Sequence, residues 1–337
     1  MQAERRVTAF LALAGGVISI SWSAIFVRWA RMPGTCSAFY RTLIASVVLW
    51  VLFLLLRDRN RRLSRRSFWI TVVGGAFFAG DVGLWNTAVM HTSAGNATFL
   101  SNIAPLFVGL FTWMLTRRLP SRPFWIALLV TTVGSGLIVA ADLRLAFTRS
   151  SADALAILAA VCFALYLVIT GRLREQHDVL ELLALSTTAS AIVLLIAALA
   201  AHLPMTIPSP GSLWALIALG LICQVGGYFG LTNALGHLPA TVTSILFLAV
   251  APGTAVFAWI IFGERMGPLE VAGGALVLAG AWIVGRKERA EIPQVEELAP
   301  PVAEGRELLG FLREAPDREP DKDDVLPGNV RNKTSRR

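Results

Sequence analysis

The sequence predicts an all-α membrane protein in which ten transmembrane helices form two inverted five-helix repeats around a central cavity. Three observations lead to this prediction. Long apolar segments with few or no charges recur along the chain, basic residues concentrate in alternate loops, and the residue pattern repeats after about 145 positions.

The composition is that of a polytopic membrane protein. Hydrophobic residues make up 55% of the 337 residues and charged residues 15%, whereas soluble domains carry about a quarter charged residues. The stretches 7–27 and 124–141 contain no ionisable residue. Because a helix needs about 20 apolar residues to cross the hydrocarbon core, such stretches predict membrane spans. We predict ten of them, at 7–27, 37–56, 68–90, 95–115, 123–141, 153–171, 179–201, 212–235, 240–262 and 267–285.

The loop charges predict the orientation of these spans. If the N-terminus is cytoplasmic, the loops on that side carry most of the arginines, including the cluster between Arg57 and Arg66. Cytoplasmic loops are enriched in Lys and Arg, so we expect both termini in the cytoplasm of a bacterial inner membrane. Residues 286–337 are rich in Pro, Asp, Glu and Arg, which predicts a mostly disordered cytoplasmic tail.

Several classes of function fit the sequence poorly. The formal charge of +8 comes from residues that flank apolar segments, so it indicates membrane orientation and no nucleic-acid partner. Cys36, Cys162 and Cys223 lie too far apart for a disulfide framework or a metal motif. Motifs for a catalytic nucleophile, zinc or phosphate are missing from the sequence. We therefore expect no catalytic residue, no metal and no cofactor, and a protein that works in the lipid bilayer as a monomer.

An internal repeat relates the two halves of the chain. Pairs of similar residues recur in the same order at offsets close to 145: Trp22 with Tyr166, Asn86 with Asn233, Pro105 with Pro252, and Trp113 with Trp259. The repeat predicts two units, 7–141 and 153–285. Five spans is an odd number, so the second unit would start on the opposite side of the membrane. Inverted repeats of this kind serve alternating access in carriers.

The second unit resembles the repeat signature of the drug/metabolite transporter superfamily, EamA type. The resemblance rests on Ala251-Pro252, Gly263-Glu264-Arg265, Pro268, Gly273-Gly274 and Gly280, together with Phe39-Tyr40-Arg41 in the second span. The first unit has Arg117-Arg118 where Gly-Glu-Arg would be expected. Within the superfamily the chain resembles bacterial amino-acid exporters of the YddG type. That resemblance implies export of amino acids, with helices 1, 3, 4, 6, 8 and 9 around the cavity and helices 5 and 10 outside it.

Polar and aromatic residues inside the spans are the candidates for the transport path. A polar group inside a membrane is expensive and should face protein or water. Asp81 and Trp85 are one helical turn apart in the third span, and Gln224 and Tyr228 share that spacing in the eighth. The full set of predicted cavity residues is Trp22, Asp81, Trp85, Asn102, Tyr166, Gln224 and Tyr228.

Three further residues have predicted structural roles. Pro105 and Pro252 each interrupt a span, and such breaks are tolerated where helices bend around a cavity. Arg41 either extends its side chain to the membrane surface or pairs with Asp81, which would make both residues structural.

The predicted function is broad export of aromatic and other amino acids by alternating access. Aromatic side chains can bind apolar groups or an ammonium, whereas amides and hydroxyls can bind the polar groups of many solutes. Facilitated transport is favoured, because the interiors of the first and sixth spans contain no acid. Proton coupling through Asp81 remains an alternative, as does export of other small metabolites or drugs on the same fold.

Overall fold

In a computed structural model, residues 2–56, 63–91, 100–140, 150–263 and 267–290 are described, and within these ranges the chain is helical without β-strands. The helices, which we number in chain order, are α1 (Gln2–Ser21), α2 (Ser23–Ala30), α3 (Gly34–Leu56), α4 (Arg65–His91), α5 (Ala104–Thr116), α6 (Arg122–Ala140), α7 (Ser150–Arg174), α8 (Val179–Ala200), α9 (Pro210–Ala218), α10 (Tyr228–Leu235), α11 (Ala240–Phe247), α12 (Val250–Phe262) and α13 (Pro268–Ala290). A π-helical segment, Leu219–Gly227, joins α9 to α10.

Eight of the described segments are long and apolar enough to cross a membrane: Arg6–Ala30, Gly34–Leu56, Arg65–Ala88, Ala154–Arg174, Val179–Ala200, Pro210–Leu235, Ala240–Ile261 and Pro268–Arg286. Two shorter apolar helices, Ala104–Thr116 and Arg122–Ile138, lie between the third and fourth of these. The first part of the fourth predicted span, 95–99, lies outside the described residues. The last helix continues to Ala290, five residues beyond the predicted end of the span, and the rest of the predicted tail also lies outside the described residues.

Two of the long segments are interrupted by short turns, and a similar turn precedes one of the shorter helices. The first segment breaks at Trp22, between α1 and α2, and the seventh breaks at Leu248 and Ala249, between α11 and α12. A similar break at Asn102 and Ile103 precedes α5. Pro105 and Pro252 lie in the first turns of the helices that follow. An N–H group at such a position has no acceptor within the helix, so its absence in proline costs no hydrogen bond.

The helices α5 and α12 also end alike. Arg117 and Gly263 are both left-handed, with φ of 57° and 66°, and their N–H groups donate to the carbonyl oxygens of Trp113 and Trp259. Glycine adopts this conformation readily, whereas other residues are strained in it by roughly 1–2 kcal/mol. The arginine that replaces glycine in the first half therefore has the backbone conformation of the glycine in the second.

The contacts between the two halves of the chain come in corresponding pairs. Where a helix of the first half packs on one of the second, the equivalent helices pack with the halves interchanged. The first segment packs on the π segment, α10 and α12, while α7 packs on α4 and α5. Likewise α3 packs on the π segment and α4 packs on α8. The pairs α3 with α8 and α6 with α13 each join equivalent helices of the two halves.

Glycines allow the backbones of α6 and α13 to approach closely at two points, and these two points are counterparts of each other. A methyl group on Gly134 would lie 2.6 Å from the carbonyl oxygen of Gly273, and one on Gly280 would lie 3.0 Å from that of Ala127. Gly134 and Gly280 are 146 residues apart in the sequence, and so are Ala127 and Gly273. Small residues permit such close approach between membrane helices.

The second pair of reciprocal contacts joins α4 to α8 and the π segment to α3. A methyl group on Gly75 would clash with the carbonyl oxygen of Ser186, and one on Gly220 would lie 3.2 Å from that of Arg41. Here Gly75 and Gly220 are 145 residues apart in the sequence, and so are Arg41 and Ser186. Gly220 thus sets how closely the backbone around Arg41 approaches the π segment.

We predict that Gly134→Ala destabilises the protein, because the new methyl group would contact the backbone of α13 at 2.6 Å. Overpacking of this kind typically costs about 1–3 kcal/mol. The matched control is Gly15→Ala on α1, where no atom lies within 4 Å of the new methyl group. Thermal unfolding of the purified variants in detergent should show a lower midpoint for Gly134→Ala alone. Equal midpoints would contradict the close packing of α6 on α13.

Candidate functional site

A buried arginine forms the centre of the polar interior. Arg41 is only 3% exposed. Its Nε donates to Oε1 of Gln224 at 2.7 Å, and its Nη1 donates to Oγ of Ser23 at 3.3 Å. The guanidinium carbon also lies 5.4 Å from the ring centroid of Tyr228, within the range of a cation–π interaction. The side chain therefore does not extend to the membrane surface, which was one of the two predicted alternatives.

The partners of Arg41 come from different parts of the chain. Ser23 opens α2, directly after the break at Trp22, and Gln224 lies in the π segment. A π-helical turn inserts an extra residue and often marks a functional site. The close approach at Gly220, one turn before Gln224, brings α3 near enough for the Arg41 side chain to reach the amide.

Asp81 lies near this cluster without a hydrogen bond to the arginine. It is half-buried on α4, and Arg41 attracts its carboxylate through space. Among the described residues, no ion pair joins the two side chains within 4.0 Å. Asp81 is also close enough to Tyr166 and Tyr228 for its charge to influence them.

The two predicted tyrosines pack around a phenylalanine that sequence reasoning missed. The ring of Phe78 lies 4.9 Å from that of Tyr166 and 4.7 Å from that of Tyr228, centroid to centroid. All three side chains are less than 5% exposed. Phe163 and Phe247 continue the cluster, with centroids 5.2 Å apart. Phe78 is three residues before Asp81, and this helical spacing is the signal that could have identified it.

The remaining predicted cavity residues lie in other surroundings. Trp22 is half-buried and packs on Phe26 and on Phe257 of α12, at 5.7 and 4.5 Å between centroids. Asn102 donates from Nδ2 to Oγ of Ser135 at 3.2 Å and thereby ties the break before α5 to α6. Trp85 is half-buried on α4, one turn beyond Asp81.

The two helix breaks near Trp22 and Pro252 are joined by hydrogen bonds. The Ser21 hydroxyl lies 2.8 Å from the carbonyl oxygen of Val17 and 3.3 Å from that of Val250, and the Thr254 hydroxyl donates to the Ser21 carbonyl at 3.0 Å. Such bonds replace backbone interactions that the breaks remove. Ser21 and Thr254 were not predicted, since only the three-dimensional contact reveals them.

The fold and this interior define a class of protein. In the described part of the chain, eight segments are long and apolar enough to span a membrane. They surround a charged and aromatic cluster, to which helices from both halves of the chain contribute. This is the arrangement of a multi-pass membrane transporter with its site between two repeats.

The chain belongs to the EamA-like transporter family, whose family model matches twice, at residues 7–140 and 150–286. This result bears out the family resemblance predicted from the sequence.

Two of the relatives of this chain are named as exporters. The pseudopaline exporter CntI of Pseudomonas aeruginosa is 26% identical over 282 residues, covering 82% of this chain and 95% of the relative. A probable terminal-alkyne amino-acid exporter of Streptantibioticus cattleyicolor is 28% identical over 251 residues, covering 73% and 82%. A solved crystal structure matches the fold with a TM-score of 0.72 at 16% identity, covering 86% of this chain and 99% of that one. These relatives are named as transporters rather than enzymes, in agreement with the prediction that the chain is not an enzyme.

We predict that Phe78→Ala lowers the thermal stability of the protein markedly. Phe78 is 1% exposed and contacts a tyrosine from each of two other helices, and buried Phe→Ala changes typically cost about 3–5 kcal/mol. Phe68→Ala on the same helix removes a side chain that is 39% exposed and serves as the control. Unfolding midpoints measured by fluorescence-detected size exclusion should fall for Phe78→Ala only. Two equal shifts would show that the aromatic cluster is not packed as described.

Proposed function

We propose that this protein is an inner-membrane carrier that exports amino acids from the cytoplasm by alternating access. The observation that carries the proposal is the buried cluster of Arg41, Gln224 and Tyr228. The half-buried Asp81 lies near it, so opposite charges, an amide and an aromatic ring occur together. Such a set of groups complements a zwitterionic solute with an apolar side chain. The similarity to a probable terminal-alkyne amino-acid exporter supports the same class of cargo.

Alternating access is supported by the reciprocal packing of the two halves. The glycine contacts that join α6 to α13 and α4 to α8 each recur at an offset of 145 or 146 residues. We propose ten spans, made up of the eight long segments and the two shorter apolar helices, with the second five inverted relative to the first. Both termini would then be cytoplasmic, and the two halves could rock around the site near the midplane.

A second candidate cargo is another small metabolite or a drug, carried on the same fold. The similarity to the pseudopaline exporter favours it, since that relative covers more of this chain than the amino-acid exporter does. Aromatic walls and a single amide do not restrict a site to one solute, so the same fold is compatible with both candidates.

Export is tested in cells that overproduce or import toxic amino-acid analogues. Expression of the wild-type chain should relieve the toxicity of several analogues and lower their intracellular content, as measured by mass spectrometry. A control strain should carry Phe78→Ala if that variant reaches the membrane, or the empty vector if it does not. If the wild type relieves the toxicity of no analogue in a broad panel, the result would contradict amino-acid export.

We propose that transport runs down the gradient of the solute without a coupled ion. Efflux of a labelled amino acid from proteoliposomes should then be similar with and without a pH gradient. Asp81→Asn should slow efflux equally in both conditions, because it removes a charge from the site while membrane insertion stays intact. Strong stimulation of the wild type by the gradient, lost in Asp81→Asn, would instead establish proton coupling through Asp81.

A further inference from the structure

Two buried nitrogen donors, one on Arg41 and one on its neighbour Gln224, have no hydrogen-bond partner within the described part of the chain. They are Nη2 of Arg41 and Nε2 of Gln224. The orientation of the Gln224 amide is fixed, since its oxygen accepts from Arg41 Nε and an arginine has no acceptor. Its NH₂ group is therefore the free end, and it belongs to the same hydrogen-bonded pair as the free guanidinium nitrogen.

Unmade hydrogen bonds are costly at this position. Gln224 is fully buried and Arg41 nearly so, and a buried donor without a partner costs about 1–3 kcal/mol, more when it is charged. Native proteins leave few such groups unpaired, and those that remain need an explanation. An acceptor that binds between the two donors would provide one.

We propose that Arg41 Nη2 and Gln224 Nε2 bind the carboxylate group of the transported solute. This inference rests on the proposed function only in taking the solute to be an organic molecule that enters the bundle. A carboxylate offers two oxygens and a negative charge, so it can accept from both nitrogens and neutralise the guanidinium. Nε and Nη1 stay engaged with Gln224 and Ser23, and they hold the guanidinium in place for this contact.

The surroundings favour a carboxylate of a zwitterion over a phosphate. Asp81 lies close enough for its charge to interact with Arg41, and it would repel a dianion but attract an ammonium group. The ring of Tyr228 adjoins the guanidinium, and the ring of Phe78 packs against that of Tyr228, so the two rings offer an apolar surface. Carboxylate at Arg41 and Gln224, with ammonium towards Asp81, gives the head group of an α-amino acid a defined orientation.

The test compares ligands that differ only in the carboxylate. Purified wild-type protein is mixed with L-phenylalanine or L-phenylalaninamide, and in a second pair with phenylacetate or phenylacetamide, and thermal stabilisation is measured. A fifth probe is phenyl phosphate. The carboxylates should stabilise the wild type, and the amides should do so at concentrations about tenfold or more higher, as expected when hydrogen bonds to a charged group are lost.

The variant Gln224→Glu tests the two donors directly. Glutamate has the shape of glutamine and still accepts from Arg41 Nε, but it replaces the free NH₂ group by a second oxygen and adds a negative charge. The preference for carboxylate over amide should disappear in this variant while its unfolding midpoint without ligand stays equal or rises. If Gln224→Glu does not reach the membrane, Gln224→Met takes its place. Methionine adds no charge, but it removes both the free NH₂ donor and the oxygen that accepts from Arg41 Nε.

The matched control is Asn233→Asp, which makes the same change from amide to acid on the same membrane-spanning segment. Asn233 lies nine residues beyond Gln224 and is half-buried, so this variant should keep the preference for carboxylates. Loss of the preference in both variants would assign the effect to added charge alone and would overturn the inference.

The outcomes separate this inference from the proposed function. Equal stabilisation of the wild type by acids and amides, or stronger stabilisation by phenyl phosphate, would overturn the carboxylate site even if amino acids are exported. Stabilisation by phenylacetate that is lost in Gln224→Glu would support the site even if no amino acid proves to be a cargo.

Discussion

A guanidinium in an apolar interior is the constraint on which the centre of this protein depends. The Arg41 side chain cannot lose its charge, and the hydrocarbon core of a bilayer contains no water to solvate it. Its hydrogen bonds must therefore come from the protein, and they come from Ser23 of α2 and Gln224 of the π segment. Three parts of the chain are held together by this single side chain, so its position defines the polar interior.

The helices can supply these partners only because glycines let them approach closely. Gly220 brings the π segment against the backbone of Arg41, and Gly75 does the same for α4 against Ser186 of α8. Hydrophobic burial gives little preference among apolar helices in lipid, so close packing and interhelical hydrogen bonds determine which helices pair. The reciprocal glycine contacts thus explain why the same helix pairs occur in both halves of the chain.

The apolar segments were predictable from the sequence because each must match the thickness of the bilayer, and each of the ten predicted segments overlaps described helix. The family was also predictable, since Gly263 and Pro252 occupy positions where backbone geometry restricts the choice of residue. Helix-to-helix contacts were not predictable in this way. Nearly all faces of these helices are apolar, so periodicity could not reveal that Arg41 meets Gln224, or that Phe78 lies between Tyr166 and Tyr228. The π segment escaped prediction for the same reason, since an inserted residue leaves an apolar run unchanged.

The bond between Arg41 and Gln224 joins the two halves of the chain, one residue from each. In a carrier of the proposed kind, rocking of one half against the other must change the distance between these side chains. A carboxylate that accepts from both residues would be held best in the arrangement where their free nitrogens converge. Binding would then favour one arrangement by the difference in its affinity for the two, and release would follow when the nitrogens separate. The same two donors would in this way select the solute and link its binding to the movement that transports it.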